Sequence, residues 1–217
     1  MKHYILLLAF VLMATLAPAQ ITHTQNGNVD QNAEKVLKKA AQKMNASAVS
    51  FTVTAINKDS AKKETSRQTA QVLFNKGKYR VSVPDNVIYC DGASVWHWNK
   101  QANECTVDKM SASNDDLMNP AGLLSNYSKN YKAKYIRTES DGTAVVDLTP
   151  KKSRGFYKIR LLVNSANGEL KKMSMHNYDS SCSEYVVSNF KSGVAVSAAD
   201  FSFPAAKNPK VEVIDMR

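Results

Sequence analysis

Beyond its first sixteen residues this chain has no long apolar run. No later stretch approaches the roughly 20 consecutive apolar residues that a membrane-spanning helix requires, so the remainder is expected to be soluble. No G-x-S-x-G, no H-E-x-x-H and no glycine-rich phosphate loop occurs, which removes the common signatures of acyl hydrolases, zinc proteases and nucleotide enzymes. Histidine is scarce, with four in the chain. His3 lies in the leader and His23 in a polar lead-in, while His97 and His176 fall on predicted strands and read as surface or satisfied residues. No catalytic group, metal site or cofactor is expected. Cysteine is equally scarce. Three residues, Cys90, Cys105 and Cys182, make an odd number, so at least one is unpaired within the chain. Cys90 and Cys105 flank a predicted strand, and in a plain meander two strand spacings of about 9 to 10 Å would hold them beyond disulfide reach. Cys182, in the loop-like DSSCS, is expected to be exposed.

What is present begins with MKHYILLLAFVLMATLAPAQ. A lysine start, an apolar run from Tyr4 to Leu16 and the small-x-small Ala17-Pro18-Ala19 form a signal-peptide pattern. Residues 1–19 are therefore read as removed, and residues 20–217 as one exported domain. Gln20 follows the cleavage point where a lipid-anchored protein would carry cysteine. Lys and Arg number 29 against 19 Asp and Glu, a formal net charge of +10. The lysines are scattered and export removes the usual nucleic-acid partners, so the excess reads as a basic surface suited to acidic protein or lipid partners.

VDQNAEKVLKKAAQKMN spaces Ala33, Val36, Leu37, Ala40 and Met44 for one amphipathic helix over about 30–45. From Ser50 the period becomes two. SFTVTAINK, QTAQVLFNK, KYRVSVP, NVIYCDG, SVWHWNK and ECTVDKM read as successive strands, broken by Lys-Gly at 76–77 and Asp-Gly at 91–92. Residues 113–130 lose the alternation and suggest short helical turns carrying Leu117, Met118, Leu123 and Leu124. Strands resume through YKAKYIRTES, TAVVDLTP, FYKIRLLVN, ELKKMSMHNY and SEYVVSNF. The expected fold is mainly β with helices: about eleven antiparallel strands in one strongly curved sheet, closed or half closed into a barrel.

Alternation sorts each strand into an oily and a wet side. Val72 and Phe74 share a side, as do Tyr79, Val81 and Val83, then Trp96 and Trp98, then Ile159, Leu161 and Val163, then Met173 and Met175. Pattern alone leaves two readings open, an ordinary filled core and a cavity. Bulky, adaptable side chains such as Met118, Met173, Met175, Trp96 and Trp98 suit a site that re-packs around flexible apolar ligands.

The leader, IYCDGASVWHWNK, VVDLTPK at 146–151 and the tail ADFSFPAAKNPKVEVIDMR together resemble the periplasmic outer-membrane lipoprotein carrier family, LolA. The resemblance implies an incomplete eleven-stranded barrel with a helical lid over an apolar cavity, acting as a monomer. It implies cargo in the form of outer-membrane lipoproteins, received by their acyl chains from an inner-membrane ABC-type exporter and passed to an outer-membrane acceptor. On this reading Val72, Phe74, Tyr79, Val81, Val83, Trp96, Trp98, Ile159, Leu161, Val163, Met173 and Met175 line the cavity, and Leu117, Met118, Leu123 and Leu124 form the lid. The family's lid-latching arginine and its following proline correspond here to Lys76-Gly77, so Lys76 is the latch candidate, without the planar fork of arginine. A periplasmic lipid sensor or adaptor on the same fold is the alternative.

Overall fold

The computed structural model describes residues 29–110 and 120–217. Its first element, α1 (Gln31–Asn45), starts where the sequence places it, because the Asp30 carboxylate accepts from the backbone N–H groups of Asn32 at 3.1 Å and Ala33 at 3.0 Å. The second Asp30 oxygen accepts from the backbone N–H of Tyr135 at 2.8 Å. One side chain thus caps the helix and ties it to a strand.

Twelve strands follow: β1 (Val49–Lys58), β2 (Glu64–Asn75), β3 (Lys78–Ser82), β4 (Asn86–Cys90), β5 (Ser94–Asn99) and β6 (Glu104–Lys109), then, after helix α2 (Pro120–Asn130), β7 (Tyr131–Thr138), β8 (Thr143–Pro150), β9 (Phe156–Asn164), β10 (Leu170–Asn177), β11 (Cys182–Ser192) and β12 (Glu212–Asp215). They form one sheet in the order β12-β6-β5-β4-β3-β2-β1-β11-β10-β9-β8-β7. The first eleven pair antiparallel, as the alternation predicts, and β1 joins the two meanders by pairing with β11. The twelfth lies within the tail, and it pairs parallel to β6. The sheet is open, with β12 and β7 as its edges.

Lys-Gly at 76–77, Asp-Gly at 91–92 and 141–142 and Asn-Gly at 167–168 fall at strand junctions. Asn75 pairs directly with Lys78, which leaves Lys76 and Gly77 as a two-residue hairpin loop, both with positive φ, at 47° and 89°. Helix α2 breaks regular geometry at Asn126, whose φ is −122°.

Both wings of the sheet contribute to one large core that includes Ala33, Leu37, Ala40 and Met44 from α1 and Leu123 and Leu124 from α2. The opposite face is polar over β8–β11. There Arg160 holds Asp147 in a two-pronged pair at 2.7 and 2.8 Å, and Glu184 bridges Lys58 and Lys172, each at 3.0 Å.

Two sequence expectations are corrected by this register. Cys182 is 4% exposed, because it opens β11 opposite Lys58 and His176 instead of sitting in the preceding turn. Trp96 and Trp98 stand on the face away from the helices, packed with Val87, Tyr89, Cys105 and Phe203. Alternation correctly groups the two rings. Which face the group occupies is set by pairing with β4, where Ile88 and Cys90 face the helices and Val87 and Tyr89 do not.

Helix α1 is pinned to the β9–β10 turn. Lys39 Nζ donates to the Ser165 carbonyl at 2.7 Å, and a Cβ at Gly168, where φ is +78°, would stand 2.7 Å from the Lys39 carbonyl oxygen. Gly142 has the same φ but open space around it. Gly142→Ala is therefore expected to cost only the left-handed backbone term, about 1 kcal/mol, and Gly168→Ala at least twice that, as measured by urea unfolding. Equal losses would show that α1 yields freely at this contact.

Candidate functional site

The helix-covered face is assembled row by row across the ladders. Phe51, Val72, Val81 and Ile88 form one row, and Val49, Phe74, Tyr79, Cys90 and Val95 the next. On the other wing Leu148, Ile159 and Met175 align, beside Val146, Leu161 and Met173. Phe74, Ile159 and Leu161 are fully buried. Val163 belongs to the same core, Val83 is buried at the end of β3, and Met175 is half-buried against it. Leu123 and Leu124 complete the surface from above, at 1% and 2% exposure.

Ten of the twelve residues expected to line one apolar wall are thus buried or half-buried on this face or at its margin; Trp96 and Trp98 are the exceptions. Leu117 and Met118 lie outside the described residues. Lys76 is exposed at its hairpin and makes no hydrogen bond or ion pair with the described residues, α2 included. Sequence reading passed over Val146, Leu148 and Phe156. The alternation in VVDLTP signals the first two; Phe156 opens its strand and has no pattern before it.

The site offers little polar chemistry. Burial pushes the Tyr79 phenol up, reinforced by the neighbouring Cys90, and pushes the Cys90 thiol up as well. Burial likewise raises Cys105 to about 11, and Cys182 in the same direction. Three free, buried thiols held protonated are poor nucleophiles. Desolvation by the surrounding protein lowers the pKa of His97 and of His176 below the ordinary imidazole value. Among the described residues no group of three or more His, Cys, Asp or Glu side chains is arranged to hold a metal ion, and no helix is long and apolar enough to cross a membrane.

At one end the apolar surface reaches a pocket of about 790 Å³, within the roughly 300–1,000 Å³ typical of ligand sites. Phe156 and Met175 supply its apolar part, and Arg154, Asn177, Tyr178 and Asp179 its polar rim. Tyr131 stacks on Phe156 with centroids 6.5 Å apart, and the Arg154 guanidinium lies 5.3 Å from the Tyr131 ring centre. The arrangement can hold apolar matter and discriminate little by hydrogen bonding.

The family model described as outer membrane lipoprotein carrier protein LolA matches residues 75–204. The chain belongs to the LolA family. An outer-membrane lipoprotein carrier protein of Actinobacillus pleuropneumoniae serotype 3 (strain JL03) is 27% identical over 156 residues, covering 65% of this chain and 70% of that one. Among solved structures, an uncharacterized conserved protein from Thermus thermophilus superposes with a TM-score of 0.59 at 12% identity, over 85% of this chain and 99% of that chain. The LolA superfamily protein NE2245 from Nitrosomonas europaea matches at a TM-score of 0.42 and 16% identity, over 79% and 97% of the two chains. The LolA match runs from the end of β2 to Pro204 and so includes β5 with both tryptophans.

Phe203 sits beside those tryptophans, 5.4 Å from the Trp98 ring centre and 6.5 Å from that of Tyr89. Phe203→Ala is expected to destabilise the protein by about 3 kcal/mol or more and to shift tryptophan emission to the red as water reaches Trp98. Unchanged emission would place the rings elsewhere.

Proposed function

We propose that this protein is a periplasmic carrier that takes up the acyl chains of lipoproteins at the helix-covered face of its sheet and delivers them to the outer membrane. The observation that carries the reading is the seating of α2. This helix contributes Leu123 and Leu124 to the same apolar surface as Phe74, Ile159 and Leu161, yet its regular geometry breaks at Asn126. Burial of Leu123 and Leu124 contributes about 3–6 kcal/mol to the seating of α2, beside Tyr127 and the Lys151 bond to the Ser128 carbonyl, and at about 0.8 kcal/mol per methylene roughly four to eight methylenes match the two leucines. A full-length fatty acyl chain exceeds that. Ligand and the two leucines then compete for one surface by area, and release requires only a better apolar site in the acceptor.

On this reading Val72, Tyr79, Val81, Val83, Val163 and Met173 belong to the wall, and the pocket at Phe156 and Met175 is an opening into it. The LolA-family membership and the relative named as a lipoprotein carrier support the cargo class. The cargo arrives from an inner-membrane ABC-type exporter, and no catalytic step is involved.

The test is a photo-crosslinking residue in place of Leu124 in the protein expressed in its own cells, with adducts identified by mass spectrometry. Acylated proteins are expected; adducts of free lipid alone would overturn the carrier reading in favour of a lipid sensor. Met175→Glu sets a carboxylate at the pocket's apolar wall, and is expected to lower retention of a palmitoylated lipoprotein on the order of tenfold with unchanged circular dichroism. Leu124→Ala is expected to weaken lid closure and to speed acyl uptake in stopped-flow measurements. Unaltered uptake would remove α2 from the gate.

A further inference from the structure

We infer that the end of the sheet bearing the β1–β2, β8–β9 and β10–β11 turns is a docking surface for an anionic lipid bilayer. These turns lie side by side because Lys58 pairs with Cys182, His176 with Cys182, and Asn177 with Phe156. The Lys62 ammonium donates to the Ser180 carbonyl, which fastens the first turn to the third. Lys62, Lys63, Lys151 and Lys152 are all exposed there, whereas the acids on the same three turns are Asp59 and Asp179. The basic excess of the whole chain is thus expressed locally.

Charge alone would suit any acidic partner. The aromatic residues narrow the choice. Tyr178 is 68% and Tyr157 42% exposed, and their rings stand 5.8 Å apart between the basic turns. The Lys158 ammonium lies 5.7 Å from the centre of the Tyr157 ring. Tyrosines carrying apolar bodies and wet hydroxyls among lysines are the composition of a membrane-interface belt, where rings settle at headgroup depth and ammonium groups meet lipid phosphates. A smaller pocket of about 350 Å³ between Pro150, Lys152, Tyr157 and Tyr178 gives a headgroup a place to enter.

The pocket floored by Phe156 and Met175 opens at this same end, with Tyr178 on its rim. Docking therefore brings the apolar opening to the bilayer surface, so that an acyl chain crosses little water. That purpose rests on the carrier reading; the docking surface itself does not.

The experiment is co-sedimentation of the cargo-free protein with vesicles of phosphatidylglycerol and phosphatidylcholine in equal parts, against phosphatidylcholine alone. Binding to the first only, lost at about 0.5 M salt, is expected. Lys151→Glu combined with Lys152→Glu is expected to weaken it on the order of tenfold. Tyr178→Ser, an exposed change that leaves folding intact, is expected to weaken it severalfold at unchanged charge. No binding to anionic vesicles, binding indifferent to these variants, or a loss for the lysine variant without one for Tyr178→Ser would overturn the proposal, the last in favour of an acidic protein partner. Acyl uptake by the unsubstituted protein from detergent-dispersed lipoprotein, with no vesicles present, separates this outcome from failure of the carrier reading.

Discussion

Everything in this fold depends on the ladder between β1 and β11. It is the one junction of the two meanders among the described residues, and its partners, from Val49↔Ser192 to Lys58↔Cys182, are more than a hundred residues apart in sequence. Closing so long a loop costs chain entropy before any of the shared core is available to offset it. The ladder is reinforced on its flank. Ser183 donates to the Asn57 side chain at 2.7 Å, and Asn57 donates on to Ser66 at 2.9 Å, a relay across β11, β1 and β2. With β1 in place, residues as remote as Ile88 and Leu148 come to face the same two helices.

One sheet then serves two apolar clusters, and they differ in what covers them. The large one lies beneath the helices α1 and α2. The small one, around Trp98, lies beneath the segment containing Phe203 and Val211, which continues directly into a hydrogen-bonded strand. A helix-covered cluster and a tail-covered cluster are thus separated by a single layer of backbone. The polar half of the outer face is held by ion pairs, with Asp147 gripped by Arg160 and Glu184 by two lysines.

Strand existence was legible because alternation and turn chemistry agree at hairpins such as Lys76-Gly77, where both φ angles are positive. The leading helix was legible from its spacing and from Asp30. What escaped was long range. Nothing local says that Trp96 and Trp98 face away from Phe74, since period two groups residues without naming the side, and the side follows from ladders with strands elsewhere in the chain. Cys182 was misjudged for the same reason, its neighbours Ser180 and Ser181 being turn residues while its own pairing is with Lys58, far upstream. The twelfth strand escaped because its parallel partner gives no hairpin signal. Of the helix-covered apolar face most residues were readable, and Phe156 was not.

The strand at residues 212–215 covers β6, whose outward N–H and C=O groups would otherwise form a bare edge, through bonds such as Glu212 N–H to Asn103 and Met216 N–H to Val107. Without these ladder residues that edge, and the tryptophan cluster beside it, would stand open to solvent. An unpaired strand edge is a template for pairing with other chains, so the cover strand also guards the folded sheet against association at β6.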